Sequence, residues 1–150
     1  MARILLAEDD RAVQSFVSRA LAHRGHAVTA VDDGLQALEA LHGAGAGVGD
    51  GARFDLLITD IVMPGLDGIA LSLKVARDRP DLPILMMTGY SAERQRAHNL
   101  EQLICQVITK PFSLDQICKA AEEVLAAGPV TRKATRLPEP AGAPGGRAFS

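Results

Sequence analysis

Four short apolar runs in this chain end in residues that could handle a phosphate or a metal ion. Ile4–Ala7 runs into Glu8-Asp9, Leu56–Thr59 into Asp60, Ile84–Met87 into Thr88, and Gln106–Thr109 into Lys110. Three carboxylates gathered in one crevice repel one another and have raised pKa values unless a cation joins them. Oxygen ligands of this kind suit Mg2+, which keeps several waters and is held by one or two carboxylates plus a phosphate. A carboxylate can itself be a nucleophile and become an aspartyl-phosphate. That transfer needs its charge stabilised by metal, ammonium and hydrogen bonds. Asp60 as acceptor, Mg2+ on Glu8, Asp9 and Asp60, Lys110 on a phosphoryl oxygen and Thr88 as hydroxyl donor together meet every requirement. Taken singly they say little, since an acidic pair after a strand arises often by chance. The weight lies in the ordered set.

The elements that must position these residues follow from local pattern. Leu56-Leu57-Ile58 is a short unbroken apolar run that suits a strand buried on both faces, as in a parallel sheet. Pro64-Gly65 stops it, because proline donates no ladder hydrogen bond and glycine suits the turn. Asp60 is therefore expected half-buried at a strand end, aimed into a crevice. Ile4–Ala7, Ala27–Val31, Ile84–Met87 and Gln106–Thr109 read as four more strands. Asp10 can cap a helix whose apolar face is Val13, Phe16, Val17, Ala20 and Leu21, with Gly25 as its stop. Asp32-Asp33 opens a second helix, with Leu35, Leu38 and Leu41 as its apolar residues. Ile69–Arg79 reads as a third, halted before Pro80, and Ala92–Leu100 as a polar fourth. The fifth begins at a capping box, Ser113-Leu114-Asp115-Gln116, with Leu114, Ile117, Val124 and Leu125 on its apolar face.

Strands alternating with helices argue for an α/β fold with a parallel sheet, and right-handed crossovers favour a doubly wound one. At this size the flavodoxin-like five-stranded order 2-1-3-4-5, with helices on both faces, is expected. Its ligand crevice lies at the carboxyl ends of strands one and three. That topology brings Glu8 and Asp9 beside Asp60, with Thr88 and Lys110 on the same edge.

Composition excludes several classes. The chain of 150 residues is 47% hydrophobic and 23% charged, but only 3% aromatic, so its core must be aliphatic. No apolar run approaches the roughly 20 residues of a membrane span, and Ile4–Ala7 is too short for a signal peptide; a cytoplasmic location is expected. Two cysteines, Cys105 and Cys118, make no disulfide framework and read as ordinary buried thiols. Residues 1–127 carry a net charge of −5 and residues 128–150 one of +3. The acidic part has no basic stripe for nucleic acid. From Gly128 the composition turns to Pro, Gly and Ala, so two parts are expected: a folded domain over 1–127 and a disordered tail over 128–150.

The motifs ILLAEDD (Ile4–Asp10), LLITDIVMPGLDG (Leu56–Gly68), ILMMTGY (Ile84–Tyr90) and ITKPF (Ile108–Phe112) resemble the receiver domain of two-component response regulators, over roughly residues 2–127. The resemblance implies that Asp60 accepts a phosphoryl group from a histidine kinase or a histidine phosphotransfer protein. It implies Mg2+ on Glu8, Asp9, Asp60 and the backbone carbonyl of Val62, with Asp10 left to cap the helix. Thr88 and Lys110 match the switch hydroxyl and the phosphoryl-binding lysine, and Lys110-Pro111 matches a bond that is usually cis. Such domains change the surface formed by the fourth helix, fifth strand and fifth helix, which would meet a downstream protein. Two features depart from the pattern. Val107 stands where an aromatic switch residue is common, so Tyr90 is the candidate to take that role, and the 43–51 segment is longer than usual. The opening MARILLAEDD, the TDIVMP core and the absence of a DNA-binding output domain look most like CpdR-type single-domain regulators of alphaproteobacteria. Those act through protein partners in regulated proteolysis and cell-cycle progression.

Simpler readings cover the remaining residues. Asp67 reads as a turn or N-cap acid, and Met86 and Met87 as buried strand residues. His23, His26, His42 and His98 lack metal-ligand spacing. The glycines of GAGAGVGDG (Gly43–Gly51) follow a helix and lack a G-K-S/T ending, so they read as a flexible linker, not a phosphate loop. Arg132, Lys133 and Arg136 read as a solvated run. The competing functional classes are a Mg2+-dependent phosphohydrolase with an aspartyl-phosphate intermediate and an interaction module that needs no phosphate. Such hydrolases usually carry a second acid two residues after the nucleophile, where this chain has Val62, and an intact acidic set would be idle in an interaction module.

Overall fold

A computed structural model of the chain describes residues 2–45, 54–89 and 106–129. Their elements are, in order, β1 (Arg3–Ala7), α1 (Arg11–His23), β2 (Ala27–Val31), α2 (Gly34–Gly45), β3 (Leu56–Asp60), α3 (Gly68–Asp78), β4 (Ile84–Thr88), β5 (Gln106–Thr109) and α4 (Leu114–Ala127). The five strands form one sheet in the order β2-β1-β3-β4-β5, and every neighbouring pair is parallel. This is the expected flavodoxin-like order, and it puts all strand carboxyl ends on one edge. The expected helix over 92–100, Tyr90, Cys105, and positions 130–150 of the tail lie outside the described residues.

The central strands are buried on both faces, and alternation divides their side chains between two cores. Ile4, Leu6, Leu56, Ile58, Leu85 and Met87 pack under α1 and α4, against Val17, Leu21, Ile117 and Val124. Leu5, Leu57, Ile84 and Met86 face the other way, against Ala37, Leu41, Leu71 and Val75 of α2 and α3. Each helix start is closed as its sequence requires. Asp10 accepts the N–H groups of Ala12 and Val13, and Asp67 that of Ala70. Ser113 and Gln116 form the reciprocal capping box, and Asp33 accepts the Gln36 N–H at 2.8 Å.

Four local expectations are corrected. Phe16, Leu35 and Leu114 are exposed, at 39%, 56% and 45%. Phe16 lies on the flank of the buried line Val17-Ala20-Leu21, where its ring meets Phe112 with centroids 6.4 Å apart. Leu35 precedes the buried Ala37 by two positions, which at 3.6 residues per turn places it on the opposite side of the helix. Leu114 opens α4 and lines an open surface groove with Ala12 and Phe16 of α1. The flexible linker expected over 43–51 does not start at Gly43, because α2 continues through Gly45; positions 46–51 lie outside the described residues. A helical glycine costs only about 1 kcal/mol relative to alanine. Ties from the end of α3 hold this end of α2: Arg79 donates to the Leu41 carbonyl at 3.0 Å, and His42 meets Asp78 at 3.4 Å.

One glycine sets how closely α3 approaches the strand edge. A Cβ on Gly68 would collide with the Asp60 carbonyl oxygen and lie 2.8 Å from its carbon. The Gly68 N–H donates to the Ile61 carbonyl at 2.7 Å, so the helix start is drawn onto the strand end. Before it, Gly65 turns the chain at φ +76°. Gly68→Ala forces backbone apart and should cost about 3 kcal/mol or more, read as a lower urea midpoint with an unchanged slope.

Candidate phosphoacceptor and metal site

The carboxyl edge of the sheet brings four of the sequence-predicted residues together. Glu8, Asp9 and Asp60 each offer a carboxylate oxygen, and these three atoms lie within 4.8 Å of one another. Lys110, from the end of β5, places Nζ 3.0 Å from Glu8 Oε1 and 3.3 Å from Asp60 Oδ2. The Asp60 carboxylate lies deeper than the half-burial its sequence position indicated. Asp60 is 7% exposed and Glu8 is fully buried, while Asp9 faces solvent. The reason is that β3 is covered on both faces up to its last residue.

Backbone donors and the strand ends hold each side chain. The Ile61 N–H donates to Asp60 Oδ1 at 3.0 Å, leaving Oδ2 toward Lys110. The Thr59 hydroxyl donates to the Asp60 carbonyl at 2.9 Å, the same oxygen that Gly68 packs against. Glu8 Oε2 accepts the Asp10 N–H at 3.0 Å, so Asp10 both caps α1 and fixes its neighbour's carboxylate. Thr88 is buried at the end of β4, one residue beyond Met87, the register partner of Asp60. Its carbonyl accepts the Lys110 N–H at 2.7 Å, and the Lys110–Pro111 bond is cis. Val62, two residues past Asp60, is 53% exposed. Thr59, Gly68 and Gln14, which bridges the ends of β1 and β2, escaped the sequence reading. Only Gly68 had a signal there, as a glycine directly after a capping Asp.

The electrostatics follow from crowding acids in a place water barely reaches. Burial raises the Glu8 carboxyl from 4.5 to about 7, with repulsion from Asp60 adding to it and bonds from Asp10 and Lys110 opposing. Burial also raises Asp60, against the pull of Lys110 and the Ile61 N–H, and the charge of Asp9 pushes it further up. Burial alone would lower the Lys110 ammonium; its bond to Glu8 and the charges of Asp60 and Glu8 outweigh that and hold it above its usual value. Three carboxylates and one ammonium leave two negative charges when all are ionised. An oxygen-rich, doubly negative pocket of this kind fits a hard divalent cation such as Mg2+.

Glu8 carries the sign of the pH response. Its folded pKa lies above its unfolded one, so its stabilising contribution is complete below about pH 4.5 and is lost as pH rises through about 7. In metal-free buffer, the thermal midpoint should fall across that window in the wild-type chain, with the fall reduced in Glu8→Gln. Added Mg2+ should raise the wild-type midpoint most at the alkaline end, where the acids are ionised.

Comparison with known proteins agrees with this geometry. Residues 4–122 match the model of the response regulator receiver domain. The response regulator receiver protein CpdR of Brucella abortus is 38% identical over 127 residues, covering 85% of this chain and 99% of that protein. The transcriptional regulatory protein TcrA of Mycobacterium tuberculosis is 32% identical over 133 residues, 89% of this chain, which spans about half of that protein's length (49%). Among solved structures, the receiver domain of NtrX from Brucella abortus superposes with a TM-score of 0.72 at 28% identity, covering 83% of this chain and 99% of that one. An acid pocket at the carboxyl edge of a 2-1-3-4-5 sheet, a lysine from the last strand and these matches lead to one assignment: the chain belongs to the response regulator receiver domain family of bacterial two-component systems.

Proposed function

We propose that this chain is a phosphoacceptor receiver that takes a phosphoryl group onto Asp60 from a phosphohistidine of a histidine kinase or a histidine phosphotransfer protein. The observation that carries the reading is the bridging of Glu8 and Asp60 by Lys110 within a pocket of three carboxylates. In the transfer, an Asp60 carboxylate oxygen forms a bond to phosphorus as the P–N bond breaks, and the electron pair of that bond leaves with the imidazole. The Ile61 N–H orients the carboxylate, and Lys110 donates to a phosphoryl oxygen. Thr88, at the end of β4, supplies a hydroxyl to the same group. Glu8, Asp9, Asp60 and the Val62 carbonyl would hold Mg2+, which when bound draws charge from the phosphoryl oxygens and screens the acids from one another.

The phosphate acts as a signal. Val62 stands where a hydrolase of this chemistry would carry its second acid, so the chain has no acid/base at that position to turn the acylphosphate over. Phosphorylation shifts a population in which Thr88 and Tyr90 turn toward the phosphoryl group. The altered surface is that of the segment 92–100, β5 and α4, and its reader is a downstream protein. Residues 1–127 form the receiver. The work is cytoplasmic, in keeping with the finding that no helix among the described residues is long and apolar enough to cross a membrane. The CpdR-type resemblance directs the output toward protein partners of regulated proteolysis and cell-cycle control, with no contact to DNA.

Incubation with acetyl phosphate and Mg2+, followed by intact mass measurement, tests this. One phosphoryl adduct per chain, stable in acid, labile in base and absent from Asp60→Asn, is the expected result. Lys110→Ala should form it roughly 10²-fold more slowly, the usual loss for one charge-stabilising donor. Continuous release of phosphate at enzymatic rates would instead establish a hydrolase.

A further inference from the structure

Gln14, on the second turn of α1, makes more connections than any requirement of its helix explains. Its side-chain Nε2 lies 2.9 Å from the Glu8 carbonyl, 3.0 Å from the Val31 carbonyl and 3.0 Å from Asp32 Oδ1. One amide group with two hydrogens thus serves three acceptors: the last turn of chain out of β1, the end of β2 and the loop after it. Around it the loop carrying Glu8 and Asp9 is held at further points. The Glu8 N–H donates to the same Val31 carbonyl at 3.1 Å, and the Gln14 N–H donates to the Asp10 carbonyl at 2.8 Å. Asp32 is itself kept in place by Arg11, at 3.0 Å, and by its own N–H, which donates to Gln36 Oε1 at 2.8 Å.

The acids on this loop need restraint. Glu8, Asp9 and Asp60 repel one another at these distances, and Asp9 is solvent-exposed on a connection between a strand and a helix. A loose loop would relieve the repulsion by moving the pair away from Asp60, and a cation would then have to draw it back. Binding to a site already in its bound arrangement avoids that ordering cost.

Building on the acid pocket as a Mg2+ site, we propose that Gln14 is a positioning residue for the metal-holding acids. By fastening the Glu8 carbonyl to β2 and Asp32, it keeps Glu8 and Asp9 within reach of Asp60 before any cation arrives. It touches neither metal nor phosphoryl group and acts through the backbone of Glu8. A residue that served only to fill a half-buried position would affect melting and leave the metal affinity of the folded chain alone.

The test compares wild type with Gln14→Met, close in size but without donors, and Gln14→Asn, one methylene too short to reach. Titration calorimetry with MgCl2, at a temperature where each variant is folded by circular dichroism, should show Mg2+ affinity weakened roughly tenfold or more in both, as for other partners that orient metal ligands. The acetyl phosphate reaction at saturating Mg2+ should stay within about twofold of wild type, since the reacting groups are intact. Unchanged Mg2+ affinity in either folded variant overturns the inference, as does a rate loss that saturating Mg2+ fails to restore. A wild-type chain that binds no Mg2+ overturns the reading of the acid pocket and this inference together, so the two failures are told apart by the wild-type titration.

Discussion

The ion pairs of Lys110 with Glu8 and Asp60 are the interaction on which the site rests. Folding takes two carboxylates out of water at the edge of a sheet, a step that is costly unless a partner charge and hydrogen bonds accompany them. A single ammonium from the far end of the chain answers both, at 3.0 and 3.3 Å. Glu8, Asp60 and Lys110 come from the ends of three different strands, β1, β3 and β5. The arrangement therefore requires β1, β3 and β5 to finish at one level. Parallel pairing in the order β2-β1-β3-β4-β5 delivers that level, and the two aliphatic cores hold it. Fold and site are one constraint: the topology that pairs these strands also gathers these charges.

Much of this was legible in the sequence because its signals were local and agreed with one another. Apolar runs of four or five residues marked every strand to within a residue, and Asp10, Asp67 and Ser113 marked three helix starts by a capping chemistry that depends on neighbours alone. The site was legible for a different reason. Each member sits at or just past the carboxyl end of a strand, so once the strand order was inferred their proximity followed. What sequence could not carry was the difference between an apolar residue and a buried one. Phe16, Leu35 and Leu114 have helical spacing, yet each lies where its helix overhangs the core or turns away from it. Gln14 and Thr59 were invisible for a similar reason. A glutamine on a helix and a threonine in a strand are ordinary until the carbonyls they reach are known, and those lie on other elements or at a strand end.

The depth of Asp60 sharpens its chemistry. A carboxylate on an open surface would be screened by water, and a lysine beside it would contribute little. At 7% exposure burial raises its carboxyl against the pull of Lys110 and the Ile61 N–H, and the same burial strengthens every donor aimed at it. Glu8, Asp60 and Lys110 are thus interdependent: the charge state of each depends on the other two.

The strict parallelism of the sheet has a consequence for where the chain can vary. Among the described residues, β1, β2, β3 and β5 each leave the crevice edge into the loop before a helix, and α1 and α2 return the chain to the opposite edge. The link from α2 at Gly45 to β3 at Leu56 is attached at both ends to that opposite edge, a sheet's height from Asp60. Residues could be added there or removed without redrawing the pocket, whereas the turn from Asp60 to Gly68 has no such latitude. The glycine-rich link is thus a natural place to splice in a tag or a reporter, and the two edges of one small sheet stand under opposite tolerances for change.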